Sequence, residues 1–275
     1  MSQTTFLDHI LEKAREDLEA AKQKVSLNAL KQRIKDAPPP RGFRKALASG
    51  GFRLIAEVKR RSPSIGELLA KNVAEAPAVY ASSPLVACVS ILTNERFFST
   101  GLDDLARIRA TLTKPVLRKD FLFDPYQIYE ARAWGADAVL LMANVVDPST
   151  MHTLSELASE LGMDTLVEVH TREEIDSLPS GIDLCGINSR KFQTTQGFVA
   201  SGESSKNDFS LDYSAFELVD ALPKEALKVA ESGIHPKNIA EISRHFHAAL
   251  IGTSLLRAPQ GVAACLHAFE EALNK

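Results

Sequence analysis

Apolar and polar positions along this chain follow two different periods. Phe6, Ile10, Leu11, Ala14, Leu18 and Ala21 fall on one stripe, with Asp8, Glu12, Lys13 and Glu16 elsewhere around the turn; this spacing predicts an amphipathic helix. Pro38, Pro39 and Pro40 then stop regular structure and stiffen the link that follows. From residue 54 the pattern changes to short apolar, β-branched runs at 54–59, 85–92, 115–120, 138–143, 165–170, 183–188, 227–232 and 248–253. Their starts lie roughly 28 residues apart, the span of a strand–helix–strand repeat. Helical patterns occupy most of the intervals, at 102–112, 126–134, 153–161, 215–222 and 239–245, with a shorter one at 172–178.

Strand alternating with helix eight times predicts an α/β fold, a (β/α)8 TIM barrel with an N-terminal helical extension. The expected organisation is a single barrel domain over 1–275, with 1–50 as the extension packed on it. A doubly wound open sheet would need a glycine-rich phosphate turn after its first strand, and 58–62 is not one. The polar stretch 193–212, rich in Gly, Ser and Thr, separates the sixth and seventh runs. It reads either as a loop at the catalytic rim or as an insertion without a role.

A length of 275 residues, 45% hydrophobic and 24% charged, suits one barrel with a sizeable core. The net charge of -3 argues against a nucleic-acid or membrane-surface partner. No apolar run is long enough to cross a bilayer, and the first residues lead into charge rather than a signal core. The expected location is the cytoplasm; the oligomeric state is left open. Cys88, Cys185 and Cys265 lie far apart in apolar settings and read as core residues, not a disulfide framework. His245 and His247 are the closest histidine pair, and their spacing is no metal pattern.

Charge at the strand ends carries the functional information. Barrel strands are covered on both faces and are expected to be apolar. Side chains alternate along a strand, so Ile55, Glu57 and Lys59 share one face while Ala56 and Val58 share the other. With the apolar pair turned to the helices, Glu57 and Lys59 point into the barrel near its C-terminal mouth. The same parity turns Lys119, Glu168, Asn188 and Glu231 inward. Five ionisable groups and an amide thus converge at the barrel face that carries catalysis. Buried ion pairs rarely recover their desolvation cost, so such a collection implies use.

A phosphate subsite is expected beside them. Ser232 and Gly233 end the seventh run, and Gly252, Thr253 and Ser254 end the eighth. Barrels hold phosphate on backbone N–H groups at these two positions. Ser62 and Ser64 after the first run add hydroxyls.

Several of these runs resemble one family. IAEVKRRSPS at 55–64 is similar to the signature of indole-3-glycerol phosphate synthases. The likeness continues through VSILT (89–93), LRKDF (117–121), DPYQI (124–128), GADA (135–138), VEV (167–169), GINSR (186–190), ESGI (231–234) and LIGTS (250–254). The resemblance implies ring closure, decarboxylation and dehydration of 1-(2-carboxyphenylamino)-1-deoxyribulose 5-phosphate, without cofactor or metal. By the same resemblance Lys119 is the general acid, Lys59 pairs with the substrate carboxylate, and Glu168 is a second acid/base. Glu57, Asn188 and Glu231 orient these groups, and Ser62, Ser232, Gly233, Gly252 and Thr253 take the phosphate. Pro63, Phe98, Phe121 and Leu140 form the pocket for the aromatic ring. Two stretches depart from the family pattern: the polar stretch after Arg190 is long, which leaves Phe192 an unassigned wall, and 94–98 lacks the usual aspartate and Tyr-Phe pair.

The bare residues suit that chemistry, since closing a ring on a carbonyl needs a proton donor and dehydration needs a donor and an acceptor. Burial and neighbouring cations would pull the Lys119 pKa down while Glu57 would push it up, so the sign is open. A phosphosugar isomerase would need a single acid/base pair, and a barrel that only binds ligand would lack one of Lys119, Glu168 or Lys59. The stripe on 6–21 fits either a cap on the barrel's closed end or a helix beside its mouth.

Overall fold

The eight runs form eight parallel strands in a computed structural model that describes residues 5–191 and 210–275. They are β1 (Arg53–Val58), β2 (Val86–Leu92), β3 (Val116–Lys119), β4 (Ala138–Met142), β5 (Asp164–Val169), β6 (Leu184–Asn188), β7 (Leu227–Glu231) and β8 (Ala248–Ile251). Each pairs with the next in chain order, and β8 returns to β1, closing the barrel. Parallel neighbours require crossovers. Helices in the crossovers include α4 (Ala70–Ser82), α5 (Leu102–Thr111), α6 (Pro125–Ala133), α7 (Pro148–Glu160), α8 (Arg172–Asp176) and α9 (Ile239–Ile242); α10 (Val262–Leu273) follows β8.

Period-two alternation divides the core in two. Ile55, Cys88, Leu117, Leu140, Leu166, Leu184, Val229 and Leu250 fill the lumen. Leu54, Ala56, Val89, Val139, Val167, Ala230 and Ala249 pack outward on the helices. Inward residues beyond the last apolar layer therefore face an open mouth. Among the described residues, no helix is long and apolar enough to cross a membrane.

The extension consists of three helices, α1 (Phe6–Lys24), α2 (Leu27–Asp36) and α3 (Phe43–Leu47). It attends to both ends of the barrel. At the closed end, α3 buries Phe43 and Leu47, and the Arg44 amide donates to Asp164 at the start of β5 (2.9 Å). At the mouth, Phe6 and Ile10 at the start of α1 line the cavity described below. The second helix was not expected from the sequence. Ser26 caps it by accepting from the Ala29 amide (3.2 Å), and its buried residue Leu30 packs with Leu18, Tyr126 and Ala133. The Tyr126 hydroxyl holds the turn between α1 and α2 by donating to the Ala21 and Val25 carbonyls (3.0 and 2.8 Å).

The triple-proline link is fastened by buried charge. Prolines offer carbonyls but no N–H; Arg132 donates to the Pro38 carbonyl (2.9 Å) and Arg109 to that of Pro39 (3.3 Å). Asp137, fully buried, accepts from Arg109 Nη2 (2.9 Å) and from the Arg41 and Val116 amides (2.8 Å each). Removing one partner of such a pair strands the other charge. Asp137→Ala is expected to lose about 3–5 kcal/mol of stability by denaturant unfolding; a loss under about 1 kcal/mol would mean the clamp contributes only as surface pairs do.

Two differences from the sequence expectation lie near the mouth. A short hairpin, Arg61–Ser62 with Gly66–Glu67, follows β1. A 3-10 helix over Tyr213–Ala221 stands where an α-helix was expected at 215–222. Asp212 accepts from the Ser214 amide and hydroxyl (3.1 and 2.6 Å), so the segment starts in the tighter winding.

Candidate active site

The strand ends enclose a cavity of about 330 Å³ at the C-terminal mouth. Its floor is charged because β1, β3, β5 and β7 each turn one or two ionisable side chains inward where the apolar layers stop. Glu57, Glu168 and Glu231 are buried, whereas the Lys119 side chain keeps 15% exposure toward the opening. Lys119 Nζ donates to Glu168 Oε2 and to Glu231 Oε2, both at 3.0 Å. Lys59 pairs with Glu57 on the same strand face. Asn188 lies opposite Glu231 in the β6–β7 register.

Two glycines make room for these carboxylates. A Cβ at Gly186 would stand 2.2 Å from Glu231 Oε1, and one at Gly252 would stand 2.2 Å from Glu57 Oε1. Gly186→Ala must therefore displace the Glu231 carboxyl from its present place beside Lys119. The expected result is a fall in kcat of about tenfold or more with the fold retained, measured by steady-state kinetics beside a thermal melt. An unchanged kcat would mean that the place of Glu231 is immaterial.

The cluster sets its own protonation. Burial pushes Lys119 down, but Glu168, Glu231 and Glu57 outweigh it and hold the ammonium above the ordinary lysine value. Burial also raises both carboxyls. Lys119 and then His170 overcome that for Glu168, which falls to about 2. For Glu231 the Lys119 charge opposes burial, but burial and the Glu168 charge prevail and it rises to about 8. Two carboxyls around one lysine thus keep one proton between them near neutral pH. The sign that the sequence left open for Lys119 is upward.

Beside this floor lies a polar cup. Ser232 and Gly233 both adopt left-handed backbone (φ 68° and 70°), which for serine costs about 1 kcal/mol and is retained where a special turn is needed. The Ser189 hydroxyl donates to the Ser232 carbonyl (3.1 Å) and the Tyr213 hydroxyl to that of Gly233 (3.1 Å). Gly252, Thr253 and Ser254 form the opposite wall, where a single helical turn, Thr253–Leu256, begins. Ser62 and Ser64 stand with hydroxyls 3.0 Å apart on the hairpin, and Arg190 Nη1 donates to Ser64 Oγ (3.1 Å). The remaining side is apolar, formed by Pro63, Phe98, Phe121 and Leu140 with Phe6 and Ile10 of α1.

Every candidate residue drawn from the sequence thus borders one cavity: Glu57, Lys59, Lys119, Glu168, Asn188 and Glu231 at the floor, Ser62, Ser232, Gly233, Gly252 and Thr253 at the cup, and Pro63, Phe98, Phe121 and Leu140 at the wall. Phe192 and most of the stretch 193–212 lie outside the described residues. The described end of that stretch is tied back, with the Lys191 amide donating to Ser210 (3.0 Å) and the Asp212 amide to Ser189 (2.7 Å).

A profile of the family described as indole-3-glycerol phosphate synthase matches residues 7–268. The chain belongs to the indole-3-glycerol phosphate synthase family. It is 42% identical over 236 residues to the indole-3-glycerol phosphate synthase of Mycolicibacterium smegmatis, covering 85% of this chain and 82% of that relative. It is 36% identical over 259 residues to that of Bacteroides thetaiotaomicron, covering 93% and 94%. Among solved structures it is similar to 3-hexulose-6-phosphate synthase from Salmonella typhimurium, with a TM-score of 0.58 and 15% identity over 81% of this chain and 98% of that one. Phosphoribosyl anthranilate isomerase from Thermococcus kodakaraensis gives a TM-score of 0.55 and 13% identity over 82% and 100%. At such low identity these two show the barrel alone.

Phe6, Ile10, Arg190 and Tyr213 are among the contributors to the cavity of this family member that were not singled out from the sequence. Phe6 and Ile10 read as ordinary helix apolar positions, and nothing in their spacing tells a mouth from a closed end. Arg190 stands two residues past Asn188, where it continues the inward parity beyond the strand, a signal available to the same alternation rule. Tyr213 reaches the cup from a segment whose approach depends on tertiary folding alone.

Proposed function

We propose that this chain converts 1-(2-carboxyphenylamino)-1-deoxyribulose 5-phosphate to indole-3-glycerol phosphate, with Lys119 as the acid that drives ring closure. The observation that carries the reading is the Lys119 ammonium at the cavity floor, held 3.0 Å from each of two buried carboxyls and open to the mouth. The cup after β7 and β8 suits the substrate phosphate, and the apolar wall suits its aromatic ring.

The chemistry follows in three stages. The ring carbon bearing the carboxylate attacks the sugar ketone, and Lys119 gives its proton to the developing alkoxide. The charges of Glu168 and Glu57 hold Lys119 protonated across the neutral range, so the donor is present in every encounter; its charge also stabilises the oxyanion before the proton moves. Stacking against Phe121 and Phe98 keeps the reacting carbons near attack distance. Loss of carbon dioxide from the same ring carbon then restores aromaticity, the electron pair of the breaking bond returning to the ring. Lys59 pairs with this carboxylate while it is present. In the last stage the new hydroxyl leaves as water and the adjacent carbon gives up a proton. Glu168 serves as acid/base for this dehydration, taking the proton from that carbon and passing it to the departing hydroxyl, with Glu231, Asn188 and Glu57 fixing the lysines and the sugar hydroxyls.

The whole chain is read as one domain, because α1 and α3 supply parts of both barrel ends, and its place of work as the cytoplasm. The reading is tested by mass spectrometry of the product formed from this substrate alone. Loss of one carbon dioxide and one water is expected; an isomer of unchanged mass would overturn it in favour of an isomerase.

A further inference from the structure

β5 ends in two groups that share a face. Glu168 points into the barrel, Val169 points outward into the helix layer, and His170 returns inward by the alternation of the strand. His170 Nε2 lies 3.5 Å from Glu168 Oε1, and Nδ1 lies 3.5 Å from Glu174 Oε2. Glu174 is itself fixed. It accepts from the His170 amide (2.6 Å), and its own amide donates to Thr171 Oγ1 (3.2 Å) at the start of α8. The imidazole is 11% exposed and thus clamped between a buried carboxylate of the cavity and a partly exposed one behind it.

Glu168 uses its two oxygens differently. Oε2 accepts from Lys119, whereas Oε1 is buried with no hydrogen-bond partner among the described residues. An unsatisfied carboxylate oxygen costs free energy unless a cation faces it. Around the pair stand Lys119 from β3, Glu231 from β7, Arg190 beyond β6 and Glu174 from α8. Burial pushes the imidazole down, but Glu174, Glu168 and Glu231 outweigh it, so His170 carries charge to higher pH than a free histidine.

We propose that His170 is a positioning residue for the dehydration: its imidazolium, anchored by Glu174, holds the free oxygen of Glu168 and keeps that carboxylate ionised and turned on Lys119. The proposal rests on the acid/base role given to Glu168 above. The imidazolium is present below the raised His170 pKa and is lost as pH rises through it.

The kcat and KM of the protein, His170→Ala and His170→Asn are to be followed between about pH 6 and 9. Near pH 6 both variants are expected to fall about tenfold in kcat, the effect of one opposite charge at this range, with KM within about twofold. The gap should narrow as pH rises, because the parent loses its imidazolium while the variants have none to lose. His170→Asn keeps a neutral donor of similar reach, so parent-like kcat in that variant would overturn the proposal and leave the ring as packing. A gap constant with pH would overturn it as well. A proton NMR titration of the His170 ring, assigned by its loss in His170→Asn, tests the pairing without turnover. The ring should titrate above about 6.5 and fall by roughly one unit in Glu168→Gln. No change in that variant breaks the pair whatever the reaction, whereas a shifted ring in a chain that forms no indole product would overturn the functional reading alone.

Discussion

Lys119→Met is expected to lower kcat by about 10³-fold, while KM stays within a few-fold and the barrel remains folded. That fall joins the loss of the proposed general acid to the loss of a preorganised charge at the developing alkoxide. Methionine keeps much of the lysine's length and apolar stem, so the cavity wall survives. It leaves Glu168 and Glu231 facing each other without the cation that bridges them at 3.0 Å. Glu168 can respond by taking up a proton, as Glu231 already does below about 8, because removing the lysine removes the larger of the two cations that hold it down near 2. A far-UV circular dichroism melt separates this rearrangement from unfolding. Near-parent turnover in a folded Lys119→Met protein would remove Lys119 as the acid.

Glu168→Gln is expected to cost about 10²-fold in overall turnover and to do so at a particular stage. In the proposed mechanism ring closure and decarboxylation depend on Lys119 and Lys59, so carbon dioxide should still be released in the first turnover while indole forms slowly. Rapid quenching would find the ring-closed, decarboxylated and still hydroxylated species accumulating. Equal suppression of carbon dioxide and indole would place Glu168 at the first stage instead. The pH dependence carries a related signature. Glu168, held near 2, stays ionised throughout the usable range, whereas Glu231, raised to about 8, is protonated below that pH and loses its proton above it. The ratio kcat/KM is therefore expected to fall as pH rises through about 8, where both carboxyls become charged and tie Lys119 more tightly.

Much of this site was legible in the chain because the barrel imposes one rule on every strand. Parity along β1 separates Ala56 and Val58 from Glu57 and Lys59, and the same count turns Lys119, Glu168, Asn188 and Glu231 into the lumen. Eight repeats of strand and helix left little choice of topology. What was not legible depends on approach rather than period. The helix α2 has only Leu30 buried in a charged segment, and its contact with Tyr126 and Ala133 exists only once α6 is in place. Gly252 looked like a residue that admits phosphate; the structure adds that its missing side chain also leaves space for Glu57. The clamp of His170 between Glu168 and Glu174 joins neighbours in sequence, yet its meaning depends on Lys119 occupying the other oxygen of Glu168. The upward shift of Lys119 likewise required the number of carboxylates around it, which spacing along the chain does not provide.

The most direct test follows indole fluorescence when the purified protein meets carboxyphenylamino-deoxyribulose phosphate, with Lys119→Met run beside it. A rising signal from the parent and a trace slowed about 10³-fold from the variant are the predicted result. A flat trace from the parent, or equal rates from both, would contradict the assignment of this cavity and its lysine.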